Sequence, residues 1–226
     1  MVIAGHRGAP AYEPENTMRS FKTALDQGAE MIELDIYRCA TGELMVIHDD
    51  RVNRTTDGDG LVELMSYREL RRLNAGKGEK IPTLDEVCEL LLGSVPINIE
   101  LKGRETAEAL SRFLDDPDLK RRLKPEDLLV SSFDLPELMK FREMKPSIRR
   151  GALNGGIPLN LGEFAEPLEP WSIHYSLEFI NQKMVDDAHE RGCKVFIYTV
   201  DRKDDLELLK SWGVDYVFSN CPGDLR

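Results

Sequence analysis

The sequence predicts a (β/α)₈ TIM barrel with a small insertion after its second strand, and three observations carry that expectation. Eight short aliphatic or β-branched runs recur along the 226 residues. Amphipathic helical stretches separate them. Glycines at 28, 192 and 213 stand just before the following run, where helix C-termini favour glycine. Eight alternations in a chain this short suit a barrel near its minimum size. A doubly wound sheet would show the same alternation, and counting strands leaves it open. No repeat at fixed spacing and no low-complexity linker divides the chain, so residues 1–226 read as one domain.

The strand-like runs are 2–5 (VIAG), 30–37, 96–101 (PINIEL), 127–132 (DLLVSS), 148–153 (IRRGAL), 171–175 (WSIHY), 194–200 (KVFIYTV) and 214–219 (VDYVFS). The first ends at His6-Arg7, and the helical stretch after it carries an apolar stripe of Phe21, Ala24 and Leu25. In the second, Met31, Ile32, Leu34 and Ile36 are apolar, while Glu33, Asp35 and Tyr37 alternate with them and share the opposite face. The chain then turns at Thr41-Gly42, runs through Leu44, Met45, Val46 and Ile47, and ends at His48-Asp49-Asp50. Residues 49–83 are polar and glycine-rich ("RVNRTTDGDG"), with a short helix expected over 66–73, and read as a cap or inserted loop. The third barrel run ends in "NIELKG", with Glu100 and Lys102 two apart and so on one face. Before the seventh run, Phe179, Met184, Val185 and Ala188 form another helical stripe.

Composition bounds the function. The formal charge of −11 argues against nucleic acid or an anionic membrane as partner. No apolar run is long enough for a membrane span, and "MVIAGHRGAP" does not read as a signal peptide. Cys39, Cys88, Cys193 and Cys221 form no CxxC pair, and reduced, buried thiols suit a cytoplasm. The oligomeric state is not legible.

In a barrel, the C-terminal ends of the strands converge on one mouth. His6 and Arg7 end the first strand, Glu33 and Asp35 lie on the second, His48 ends the extension after it, and Glu100 and Lys102 end the third. Glu33 and Asp35 are roughly 6.6 Å apart along one strand, with Glu100 on the next. Three gathered carboxylates repel one another unless a cation is bound. Hard oxygen donors select Mg²⁺, Ca²⁺ or Mn²⁺ over zinc. A structural ion network with Arg7, Arg38 and Lys102 is the plainer alternative. His174 reads as a satisfied core histidine and His189 as a surface one. "DGDG" at 57–60 lacks the other acidic positions of a calcium loop, and Gly155-Gly156 is more simply a turn than a phosphate nest.

The segments "GHRGAPAYEPENTMRSF", "GAEMIELDIYRCATGELMVIHDD", "NRTTDG", "IPTLDEV" and "INIELK" resemble successive signatures of the glycerophosphodiester phosphodiesterase family. The likeness is densest over residues 3–102 and fades through "VSSFD", "GCKVFIYTVD" and "WGVDYVFSNCP". It implies a (β/α)₈ barrel that uses a divalent metal to hydrolyse glycerophosphodiesters to glycerol 3-phosphate and an alcohol. It implies Glu33, Asp35 and Glu100 as metal ligands and His6 and His48 as the acid–base pair. Arg7 and Lys102 would face the phosphate, and Glu15 and Asn16 would brace the site. It implies a cyclic glycerol phosphate, formed by the substrate's own 2-hydroxyl and then opened by water.

Two departures from the family pattern lie at the mouth. Tyr198 opens "YTVD" where tryptophan is frequent, which makes it a substrate-pocket candidate, and Ser219-Asn220 stands where Thr-Asp is usual. A lysophospholipase D acting on monoacyl substrates is therefore an alternative. A membrane-docking phospholipase C would need an exposed apolar rim, and no stretch of the sequence suggests one. A non-catalytic binding descendant should have lost one of the two histidines or three carboxylates, and all five are present.

Overall fold

Alternation of buried aliphatic runs with capped amphipathic segments produces nine strands and eight α-helices in the computed structural model, which describes residues 1–226. The order begins β1 (Val2–His6), α1 (Met18–Asp26), β2 (Met31–Arg38), β3 (Leu44–Val46), α2 (Tyr67–Leu70) and α3 (Leu84–Leu91). It continues β4 (Ile97–Leu101), α4 (Thr106–Phe113), α5 (Pro117–Arg122), β5 (Leu128–Ser132), α6 (Leu135–Met144) and β6 (Arg149–Asn154). It ends β7 (Ser172–Ser176), α7 (Gln182–Glu190), β8 (Lys194–Tyr198), α8 (Lys203–Ser211) and β9 (Tyr216–Ser219).

Every strand except β3 pairs in parallel with its neighbours, and β1 closes the ring by pairing both β2 (Ala4 with Met31) and β9 (Val2 with Tyr216). This is a (β/α)₈ barrel. The short β3 folds back antiparallel on β2, setting Val46 opposite Ile36 and Leu44 opposite Arg38. That hairpin brings His48 back to the mouth of the barrel.

The helices start where side chains satisfy their free N–H groups. Thr17 caps α1 by accepting from Ser20 N, and Asp134 caps α6 by accepting from Glu137 N. Thr83 and Glu86 form a reciprocal box at the start of α3. Gly28, Gly192 and Gly213 adopt φ of +82°, +77° and +82°, as helix-ending glycines do. One crossover departs from the expected pattern. Between β6 and β7 the chain forms a 3₁₀ segment, Leu161–Leu168, interrupted by Pro167, which cannot donate to a helical ladder. The buried Arg150 guanidinium donates to the carbonyls of Leu168 and Glu169 at the end of this segment and of Pro146 and Ile148 just before β6, tying the two together.

The main core lies between barrel and helices and includes Ile32, Leu34 and Ile36 from β2. Met31 does not share their face: it joins Ala4, Leu129, Phe196 and Phe218 in plugging the barrel interior. Glu33 and Asp35 follow Met31 at period two and therefore face inward above it. Phe179 lies before α7, whose buried stripe is Met184, Val185 and Ala188. The helix expected over 66–73 is shorter, Tyr67–Leu70. The segment 49–83 packs through an eight-residue cluster that includes Met45, Ile47, Val52, Val62 and Ile81. A cluster of that size cannot support an independent fold, so the segment depends on the barrel beneath it.

Candidate active site

The strand register assembles a carboxylate cluster. Parallel pairing sets His6 of β1 beside Glu33 of β2, and Asp35 of β2 beside Glu100 of β4. One oxygen from each of Glu33, Asp35 and Glu100 lies within 4.8 Å of the others, and all three residues are buried. Arg7 N donates to Glu33 Oε2 at 2.8 Å, and Asn16 Nδ2 donates to Asp35 Oδ2 at 2.9 Å. Arg7 and Asn16 both adopt φ of +55°, a left-handed conformation uncommon for residues other than glycine. Such strain persists only where surrounding contacts enforce it, and here both residues grip the cluster.

Two cations face three carboxylates. Arg7 Nε lies 3.4 Å from Asp35 Oδ2, and Lys102 Nζ lies 3.4 Å from Asp35 Oδ1 and closer still to Glu100 Oε1. Burial pushes the Asp35 carboxyl up, but Lys102 and Arg7 outweigh it and hold the group below its ordinary value. Burial, then repulsion from Asp35 and Glu100, drives Glu33 well up. Burial, then Asp35, pushes Glu100 up to about 7. Asp35 Oδ1 and Glu100 Oε1 are buried without a hydrogen bond of acceptable geometry, despite their ion-pair distance to Lys102. The cluster is short of positive charge.

The two histidines have different partners. His6 Nδ1 lies 2.9 Å from Asn220 Oδ1, whereas His48 Nδ1 lies 2.6 Å from Asp49 Oδ1. Asp49 is itself held by Arg54 Nε at 2.6 Å, and Arg54 makes a two-pronged contact with Glu15 at 2.8 Å on each arm. Glu15 in turn accepts from Arg7 Nη1 at 3.0 Å. A chain of ion pairs thus runs from His48 through the insertion and back to Asp35. Burial, reinforced by the Arg7 cation, pulls His6 down to about 4. Burial also lowers His48, opposed by the Asp35 carboxylate.

These groups line a cavity of about 190 Å³. His6, Arg7, Glu33, His48, Glu100, Lys102 and Tyr198 all face it, and Glu15 and Asn16 line an adjoining recess. Asp35 is fully buried behind it. Tyr198 packs edge-on against Phe133 and donates its hydroxyl to Asn154 O at 2.9 Å. A larger cleft of about 840 Å³ borders α3, α4 and α5, but it contains no histidine and shares no residue with this site.

Two expectations need correction. His174 is a fully buried core histidine whose Nε2 lies 2.8 Å from Ser172 Oγ, but it is only half satisfied, because its Nδ1 has no partner and the residue lines the cavity. The structure also has exposed apolar side chains near the mouth. Ile157 and Leu159 on the loop after β6 are 62% and 107% exposed, and Phe133 after β5 is 47% exposed. Their chain positions are too scattered to read as one apolar stretch. Sequence reasoning gave no role to Asp49, Arg54, Asn220 or Asp201; the "HDD" and "NRTTDG" segments were the available signal for the first two.

A sequence model of the glycerophosphoryl diester phosphodiesterase family matches residues 6–224. The glycerophosphodiester phosphodiesterase of Caldanaerobacter subterraneus subsp. tengcongensis is 33% identical over 237 aligned positions, covering 99% of this chain and 96% of the relative. The structure of an Oleispira antarctica phosphodiesterase in complex with the product sn-glycerol-3-phosphate superposes with a TM-score of 0.91 at 32% identity, covering 100% of this chain and 95% of that one. The glycerophosphodiester phosphodiesterase of Thermotoga maritima gives a TM-score of 0.82 at 28% identity, covering 100% and 98%. The barrel, the inward carboxylates and these relatives converge on one conclusion: this chain belongs to the glycerophosphoryl diester phosphodiesterase family, enzymes that hydrolyse glycerophosphodiesters.

Proposed function

We propose that the chain hydrolyses glycerophosphodiesters to sn-glycerol 3-phosphate and an alcohol in this cavity, with Glu33, Asp35 and Glu100 holding one divalent cation. The observation that carries the reading is the cluster itself: three buried carboxylates within 4.8 Å, two with oxygens lacking a hydrogen-bond partner. Burying that charge uncompensated would cost several kcal/mol, and an all-oxygen donor set suits Mg²⁺, Ca²⁺ or Mn²⁺. When bound, such an ion neutralises charge on the phosphate's non-bridging oxygens.

The chain's own residues supply the rest. Arg7 and Lys102 bind the phosphate as charged donors. Glu15 and Asn16 brace them: Glu15 ties Arg7 to Arg54, and Asn16 orients Asp35. One of His6 and His48 accepts the proton of the glycerol 2-hydroxyl as its oxygen bonds to phosphorus. The other gives a proton to the departing alcohol as the second P–O bond breaks. Water then opens the cyclic phosphate with the roles exchanged. Tyr198 and Phe133 wall the cavity where the leaving alcohol would lie. The segment 49–83 acts as a cap within a single-domain enzyme. Four buried, unpaired cysteines support a cytoplasmic location, and no helix is long and apolar enough to cross a membrane.

A second reading, lysophospholipase D-type cleavage of monoacyl glycerophospholipids, is favoured by the exposed Phe133, Ile157 and Leu159. A substrate panel separates the two. Glycerol 3-phosphate released from glycerophosphocholine and glycerophosphoethanolamine supports the first reading. Release of choline only from the monoacyl lipid would replace it with the second.

A further inference from the structure

The ring of His6 is hydrogen-bonded to no carboxylate. Its Nδ1 meets the side-chain oxygen of Asn220, on the turn after β9. The amide's orientation is not arbitrary, because Asp201 fixes it. Asn220 Nδ2 lies 2.7 Å from Asp201 Oδ2, and the Asn220 backbone N–H donates to Asp201 Oδ1 at 2.7 Å. A carboxylate only accepts, so the amide nitrogen must face Asp201 and the amide oxygen must face His6. That oxygen is likewise only an acceptor. His6 must therefore donate from Nδ1, which leaves Nε2 as the unprotonated ring nitrogen. Ser219 Oγ also donates to Asp201 Oδ1, at 3.1 Å, so the carboxylate is held on both sides of the turn after β9. Thr199 Oγ1, 3.5 Å from the same Nδ1, is too distant to compete well.

We propose that Asn220, clamped by Asp201, is a positioning residue that fixes the ring and tautomer of His6, so that Nε2 is presented as the proton acceptor of the first step. A neutral amide does this without placing a negative charge against the ring. The carboxylate stands one residue further out, where it orients the amide rather than the imidazole. His48 differs, because Asp49 places a carboxylate directly on its Nδ1 and stabilises the imidazolium. The two histidines thus have different Nδ1 partners, a neutral amide for His6 and a carboxylate for His48. This proposal rests on the reading of His6 as a proton-transfer residue.

The test combines ¹⁵N NMR of the histidine rings with kinetics on the metal-supplemented enzyme. Wild type should give the long-range ¹H–¹⁵N pattern of an Nδ1–H tautomer for His6. Asn220→Leu should mix or reverse that tautomer and lower kcat roughly ten- to a hundredfold with KM little changed, the usual cost of losing an orienting partner. Asn220→Asp alone should also lose activity, because it sets two carboxylates against each other. The exchanged pair Asn220→Asp with Asp201→Asn restores every donor–acceptor match, and should recover at least tenfold in kcat over Asn220→Asp together with the Nδ1–H signature. An unchanged His6 tautomer in Asn220→Leu overturns the proposal whatever the rate, as does an exchanged pair no better than Asn220→Asp. Wild-type activity in His6→Ala would instead overturn the underlying reading of His6.

Discussion

Replacing Glu100 with glutamine should stabilise the metal-free protein, and the gain should grow with pH. In the folded chain, burial and Asp35 raise Glu100 from its ordinary 4.5 to about 7. Between those values the folded state holds a proton that the unfolded state has released, so stability falls as pH rises. At about 1.4 kcal/mol per pH unit, the total loss is about 3 kcal/mol. Glutamine cannot ionise, so Glu100→Gln escapes that loss and also relieves Glu33, which Glu100 helps to push up. The buried histidines His6 and His174, lowered to about 4 and about 3, gain stability over the same range. They contribute equally to both proteins and cancel in the difference. For a chain of this size, about 3 kcal/mol corresponds to roughly 6–12 °C in Tm. Scanning fluorimetry in excess chelator at pH 5 and pH 8 reads it directly. The variant's advantage should be small at pH 5, reach its full size by pH 8, and reverse when divalent metal is added. A difference independent of pH would refute the claim that these carboxylates are crowded without a cation.

His6→Ala and His48→Ala should each lower kcat/KM by roughly 10²–10⁴-fold, whereas His189→Ala, exposed and paired with Asp215, should match wild type; comparable damage at His189 would mean the pair is misplaced. Burial and Arg7 pull His6 down, so a base at that position is unprotonated throughout the neutral range. The acidic limb of the kcat/KM profile should accordingly fall below pH 6.5, and a limb above 6.5 would contradict the environment described. Arg54→Ala releases Asp49 and Glu15 together and should cost roughly ten- to a hundredfold in kcat with little change in KM; an unaltered rate would remove the insertion from catalysis. A 2-deoxy glycerophosphodiester should bind yet turn over very slowly, because intramolecular attack can be worth roughly 7–11 kcal/mol; comparable turnover would mean that water attacks phosphorus directly.

The barrel was readable because each strand is a short aliphatic run between capped helices, and the terminal glycines mark where the helices end. The inward carboxylates were readable because period-two alternation puts Glu33 and Asp35 on one face, and Glu100 ends the next barrel strand. What the sequence concealed depends on tertiary contact. Met31 looks like the other aliphatics of β2, since both faces of a barrel strand are buried and hydropathy does not separate lumen from outer layer. The 3₁₀ crossover contains Pro167, and its end is held by Arg150, whose four carbonyl partners come from two segments. The partners of the two histidines differ most in legibility. Asp49 is adjacent to His48 in sequence, whereas Asn220 reaches His6 only because β9 closes on β1. Glu15 and Arg54 meet across 39 residues, a half-buried carboxylate with an exposed guanidinium, a pairing no local periodicity encodes.

The most direct test of a metal-dependent phosphodiesterase at Glu33, Asp35 and Glu100 is the rate of glycerol 3-phosphate release from glycerophosphocholine after exhaustive chelation. The same preparation is then assayed with Mg²⁺, Ca²⁺ or Mn²⁺ restored. Chelated enzyme should be inactive, at least one of the three ions should restore the rate, and none should restore it in Glu33→Gln, Asp35→Asn or Glu100→Gln. Full turnover in excess chelator, or a wild-type rate in any of the three variants, would contradict it.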